Sequence, residues 1–157
     1  MIITLLRALA LFVLVFPVVG GRVAAASGDF LAPEQAFRFE ARSLDAHHVE
    51  VVFIVADGYY LYRERFAFAA APAAVKLGTP VFPPGQIKFD DTFGRKLETH
   101  RGRLVINLPV KYAPADFSGP VTLTVTSQGC ADAGLCYPPM QSTVQLSLAH
   151  RKRTSGR

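Results

Sequence analysis

The sequence predicts one all-β domain built as a sandwich, and three observations carry that expectation. Eleven prolines and twelve glycines in 157 residues supply many turns. No long Ala/Leu/Glu/Lys stretch of helical period follows residue 26, which argues against a helical bundle. Short segments with a period of two, bounded by Pro, Gly or Ser, recur along the chain. With half its residues apolar, 11% aromatic and 18% charged, the chain suits a single packed core.

The first 26 residues read as an address. Met1 to Arg7 offers a short start with one positive charge, Ala8 to Val19 is apolar, and Ala24-Ala25-Ala26 is an A-x-A cleavage pattern. A retained membrane anchor is the alternative, but it wants roughly twenty apolar residues, and Arg7 and Pro17 flank or break this run. The expected organisation is a signal peptide over 1–26, a folded domain over 27–149 and a basic tail over 150–157. Export places the domain where disulfides form, in the periplasm of a bacterium. The tail has nothing apolar to pack and reads as solvated, with weak attraction to anionic lipid as its functional alternative.

Ala36 to Arg42 alternates so that Phe37 and Phe39 share a strand face. Val49 to Ala56 is β-branched and nearly continuous in apolar character, and Asp57-Gly58 then predicts a hairpin into Tyr59 to Arg63. Ala67 to Asp91, interrupted by Pro72, Pro80, Pro83 and Pro84, predicts a long irregular surface loop. Leu104 to Val110, Val121 to Ser127 and Thr143 to Leu148 complete the strands, with a cysteine-bearing loop between the last two.

The formal charge of +5 does not describe the domain. Six basic residues lie in the two end segments, so residues 27 to 149 carry eleven bases against twelve acids. That balance offers no stripe for phosphate neutralisation, and nucleic-acid binding is not expected.

Both cysteines, Cys130 and Cys136, lie in one loop. A structural bridge is the ordinary reading for an exported pair. However, the two are six positions apart, and no Trp exists to pack beside an inter-sheet bridge. Closing so short a loop is worth roughly 2.4 kcal/mol. Gly129, Ala131, Ala133 and Gly134 keep the approach to sulfur open, as thiol–disulfide exchange requires. Two thiolates do not make a closed zinc site, and His47, His48, His100 and His150 would have to converge to complete one, so no metal is expected. No G-x-S-x-G or H-E-x-x-H pattern speaks for a hydrolase. Exchange domain and non-catalytic sandwich with a structural disulfide both stand on these residues alone.

The segment GCADAGLCYPP, preceded by VTLTVTSQ, resembles the active-site segment of the N-terminal periplasmic domain of the DsbD thiol:disulfide interchange family. FLAPEQAFRFEAR at 30–42 and DGYYLYRERF at 57–66 are similar to further family segments, and the likeness runs from Phe30 to Leu148. It implies an immunoglobulin-like sandwich that acts as a protein-disulfide reductase without a bound cofactor. Electrons would come from a membrane-embedded DsbD-type reductase, supplied by cytoplasmic thioredoxin. They would pass to periplasmic thioredoxin-fold proteins such as a disulfide isomerase and a cytochrome c maturation thioredoxin. By the same likeness Cys136 forms the mixed disulfide with a partner and Cys130 resolves it. Tyr60 and Tyr62, which could otherwise be plain strand packing, resemble tyrosines beside the pair. Asp91 and Phe93 fall in the family's cap loop, with Phe93 as its lid. Thr92 stands where the family commonly has Glu, and Gly94-Arg95 replaces Tyr-Gly. The family's membrane and thioredoxin-like parts do not follow Arg157, so the expectation is a free-standing shuttle domain, with a truncated reading frame as the alternative.

Overall fold

Alternation of apolar and polar side chains builds most of this molecule, because a strand buried on one face needs an apolar residue at every second position. A computed structural model of the chain describes residues 30–90, 93–114, 117 and 119–148. The expected signal peptide 1–26, the basic tail 150–157 and Asp91 lie outside the described residues.

A one-turn helix, α1 (Pro33–Ala36), leads into β1 (Phe37–Ser43), β2 (His48–Val55) and β3 (Tyr59–Tyr62). A 3-10 turn (Arg63–Arg65) separates these from β4 (Ala67–Ala71), β5 (Lys76–Leu77), β6 (Gln86–Asp90) and β7 (Arg95–His100). The chain ends in β8 (Arg103–Tyr112), β9 (Pro120–Ser127), β10 (Gly129–Ala131) and β11 (Met140–Ser147). The strands form sheets in the orders β1-β2-β8-β5, β11-β9-β4 and β10-β3-β7-β6.

The core draws Val49, Val51, Phe53 and Val55 from β2, Leu104, Ile106, Leu108 and Val110 from β8, and Val121, Leu123 and Val125 from β9. Every one follows the period of two, and burying a side chain of this size contributes about 1.5–3 kcal/mol. The first two sheets thus share one apolar interior.

Two expectations need correction. The Asp57-Gly58 turn forms, with Gly58 at φ 80°, but β2 and β3 are not paired as a hairpin. Both edges of β2 are already occupied along its length by β1 and β8, so the turn carries the chain into another sheet, where β3 pairs with β10 and β7. The segment 67–90 is also more regular than a loop, because it contains β4, β5 and β6. Its prolines sit in the connections, where their missing N–H groups cost no ladder bond. His47 and His48 are both exposed, and His48 pairs with Asp45 at 3.1 Å. No helix among the described residues is long and apolar enough to cross a membrane.

Candidate functional site

All four residues of β3 are buried, and strand alternation divides them between two environments. Tyr59 and Leu61 join the main core, while Tyr60 and Tyr62 join a separate cluster with Leu97 and Cys130. Beside β3 runs β10, in a register that sets Cys130 opposite Tyr60. This approach requires glycine at 129. A Cβ there would lie 2.7 Å from the Phe37 ring and would overlap the Tyr60 carbonyl oxygen.

The segment holding the cysteines folds back on itself as a small antiparallel unit, in place of the expected loop. Ala131 N–H donates to the Leu135 carbonyl at 2.7 Å and Tyr137 N–H to the Gly129 carbonyl at 3.0 Å. Cys130 and Cys136 are the opposed pair between those bonds, a position that draws side chains together, with Cα atoms 4.0 Å apart and a disulfide joining them. The two sulfurs differ in access. Cys130 is 1% exposed, whereas Cys136 is half-buried and follows the exposed Leu135. Tyr137 anchors the returning chain, its ring edge-on to Phe37 at 5.5 Å and its hydroxyl donating to the Leu31 carbonyl at 2.6 Å.

Polar contacts fix the rest. The Tyr62 hydroxyl donates to Oδ2 of the buried Asp90 at 2.6 Å and lies 3.3 Å from the Tyr60 hydroxyl. Burial, then Asp90, then Tyr60 hold the Tyr62 phenol far above its ordinary range. Cys130 Sγ is 3.4 Å from the Tyr62 oxygen. A disulfide sulfur has no hydrogen to donate, so this contact becomes an S–H···O bond only on reduction. The Phe93 N–H donates to Oδ1 of Asp90 at 3.0 Å. The Phe93 ring packs edge-on against Tyr62 at 5.3 Å, and the Arg65 guanidinium lies 4.4 Å from its centroid.

On the other side of the pair, Arg101 makes a two-point contact with Asp132 at 2.6 and 2.8 Å and donates to the Tyr59 carbonyl at 3.1 Å. That hydrogen bonding lowers the Asp132 carboxyl and raises the Arg101 guanidinium from their ordinary values. Arg101 and Lys88 both lie against the Tyr60 ring, at 5.0 and 4.4 Å.

Of the residues singled out by sequence, Cys130, Cys136, Tyr60, Tyr62 and Phe93 come together in one cluster. Asp91 is the sixth and lies outside the described residues. Sequence reasoning missed Asp90, Arg65, Lys88, Arg101 and Asp132. Alternation offered no signal for Asp90, because in β6 the apolar Ile87 and Phe89 are exposed while Asp90 is the buried residue.

The geometry is that of a cross-strand disulfide with one buried and one half-buried sulfur, in a cluster against which an aromatic side chain on a turn packs. Residues 27–148 match the family model described as the N-terminal part of thiol:disulfide interchange protein DsbD. The chain belongs to that family. The DsbD of Ralstonia nicotianae is 53% identical over 126 residues, covering 80% of this chain and 20% of that protein. A DsbD of Pseudomonas aeruginosa is 44% identical over 112 residues, covering 71% and 18%. This chain thus spans about a fifth of these relatives' length. The reduced N-terminal domain of Neisseria meningitidis DsbD superposes with a TM-score of 0.67 at 34% identity, over 77% of this chain and 92% of that one. The complex of that organism's DsbD and PilB N-terminal domains gives 0.61 at 37% identity, over 74% and 87%. The fold is accordingly the immunoglobulin-like sandwich of DsbD N-terminal domains.

Proposed function

We propose that this DsbD-family domain performs thiol–disulfide exchange in the periplasm, as a protein-disulfide reductase that shuttles electrons between protein partners. The donor is a membrane-embedded DsbD-type reductase, and the acceptors are oxidised thioredoxin-fold proteins. The observation that carries this reading is the unequal access of the two sulfurs, with Cys130 1% exposed and Cys136 half-buried.

In the first half-cycle a donor thiolate attacks Cys136 Sγ, the 130–136 bond breaks, and Cys130 leaves as a thiolate that takes a proton. The donor's second thiolate attacks its own partner sulfur in the mixed disulfide and frees Cys136. In the second half-cycle the Cys136 thiolate attacks an acceptor disulfide and releases one acceptor thiolate. Cys130 then loses its proton, attacks Cys136 Sγ, restores the 130–136 disulfide and releases the second acceptor thiolate. Two electrons cross the domain per cycle, and the one proton taken up at Cys130 in the first half-cycle is given back in the second.

The surroundings suit this division of labour. The Tyr62 O–H is committed to Asp90, so it presents a lone pair to Cys130 and favours the thiol there. Cys136, which faces outward, carries the nucleophilic role. Phe93 serves as the lid that a partner displaces, and Asp91, two positions before it in the sequence, shares the gating role. The N-terminal domain of Neisseria meningitidis DsbD, solved in reduced form and also in complex with a PilB domain, supports a pair that opens while the sandwich persists and a protein as its partner. The leader-like residues 1–26 support export.

Alkylation mass measured across a glutathione series tests the proposal. An exchange pair cycles between oxidised and doubly alkylated forms while the β-sheet circular dichroism is retained. A bridge that stays closed until the domain unfolds overturns the proposal and leaves a structural disulfide.

A further inference from the structure

Three cations crowd the face that holds the disulfide, and each is held against an aromatic ring of the cysteine cluster. Arg65 lies over Phe93, and Lys88 and Arg101 lie over Tyr60, the residue opposite Cys130. A fourth, Arg95, is exposed at the start of β7, paired in register with Asp90. The acids among the described residues of this face are largely committed. Asp132 and Arg101 compensate each other, and Asp90 is buried beneath Tyr62 and the Phe93 N–H, so Arg65, Lys88 and Arg95 are the cations of this face with no ion pair among the described residues. The nearest other carboxylate pair, Glu98 with Arg63, belongs to the side of β7 away from Leu97. Lys88 lies close enough for its charge to act on Asp132 in the cysteine turn.

We infer that these residues form a basic collar that selects exchange partners whose disulfide or thiol is flanked by carboxylates. The inference rests on the exchange reading and adds to it the chemical class of the partner. A cation parked over a ring is held in place without losing its charge, so the collar is set before a partner arrives. An approaching anionic disulfide gains from each cation it nears, and a cationic one loses.

The test compares reaction of the reduced domain with three small disulfides of similar size: dithiodipropionate, which is dianionic, hydroxyethyl disulfide, which is neutral, and cystamine, which is dicationic. Rate ratios between them cancel any change in the nucleophilicity of Cys136. Each rate is divided by that of the same disulfide with a small neutral thiol, which removes the leaving-group difference. The expected order at low salt is then anionic, neutral, cationic, with about a two- to fivefold step between neighbours. The steps shrink toward unity near 1 M salt, where the screening length is about 3 Å. Lys88→Glu combined with Arg65→Glu reverses the order. Equal normalised rates at low salt, or an order that the charge reversal leaves in place, overturn the collar. Failure of the neutral disulfide to react overturns the exchange reading itself, and the collar with it.

Discussion

The Tyr62 hydroxyl donates a 2.6 Å hydrogen bond to Asp90, whose other carboxylate oxygen accepts the Phe93 N–H at 3.0 Å. One buried carboxylate therefore secures both the tyrosine beside Cys130 and the turn that carries Phe93. Tyr62→Phe deletes one donor and leaves a buried carboxylate oxygen unpaired, which costs about 1–3 kcal/mol. A lowered urea midpoint and faster hydrogen exchange at the Phe93 amide are expected. Wild-type values for both would show that Asp90 does not couple the two.

Phe93 contacts the cluster through its ring, against Tyr62 on one side and Arg65 on the other. Phe93→Ala removes that cover without touching a sheet ladder. Dithiothreitol should reduce the disulfide of the variant several-fold faster than that of the wild type, while the melting temperature changes little. An unchanged reduction rate would count against the lid.

Gly129 is where β10 meets both Phe37 and β3. Gly129→Ala must push against backbone as well as ring, and overpacking of this kind costs about 1–3 kcal/mol. Thermal unfolding should report the loss, and the displaced Cys130 should make the oxidised state easier to reduce. A variant as stable as the wild type would mean that β10 yields freely.

Much of this architecture is legible in the residues, and the exceptions share a cause. The strands β1, β8, β9 and β11 announce themselves by alternation, as in Val121, Leu123 and Val125, and β2 by its nearly continuous β-branched run. Pairing does not announce itself. Asp57-Gly58 reads as a hairpin because the local signal is correct for a turn, and only the occupied edges of β2 decide against it. The cysteine cluster shows the same divide. Cys130, Cys136, Tyr60, Tyr62 and Phe93 were singled out by motif, whereas Arg101 reaches Asp132 across 31 positions and Tyr62 reaches Asp90 across 28. Side chains that meet through sheet pairing at such separations carry no local pattern.

His100 is 5% exposed, stacks on Phe82 at 5.8 Å, and its Nε2 has no hydrogen-bond partner among the described residues. Burial is the largest cause that lowers its pKa from the ordinary 6.5, so the fold favours the neutral ring. Its contribution is complete above the unfolded pKa of about 6.5 and is lost as pH falls from there through the lower folded value. Urea midpoints between about pH 7.5 and 5 should fall for the wild type and fall less for His100→Gln. Parallel pH profiles would remove His100 as the source.

The central claim is that Cys136 meets the partner and Cys130 resolves, and single-cysteine trapping tests it most directly. Cys130→Ser and Cys136→Ser variants, each reduced and mixed with an oxidised thioredoxin-fold protein, are resolved on a non-reducing gel. The account predicts a stable mixed disulfide from Cys130→Ser and little or none from Cys136→Ser. Equal adducts from both variants, or adducts chiefly through Cys130, would contradict it.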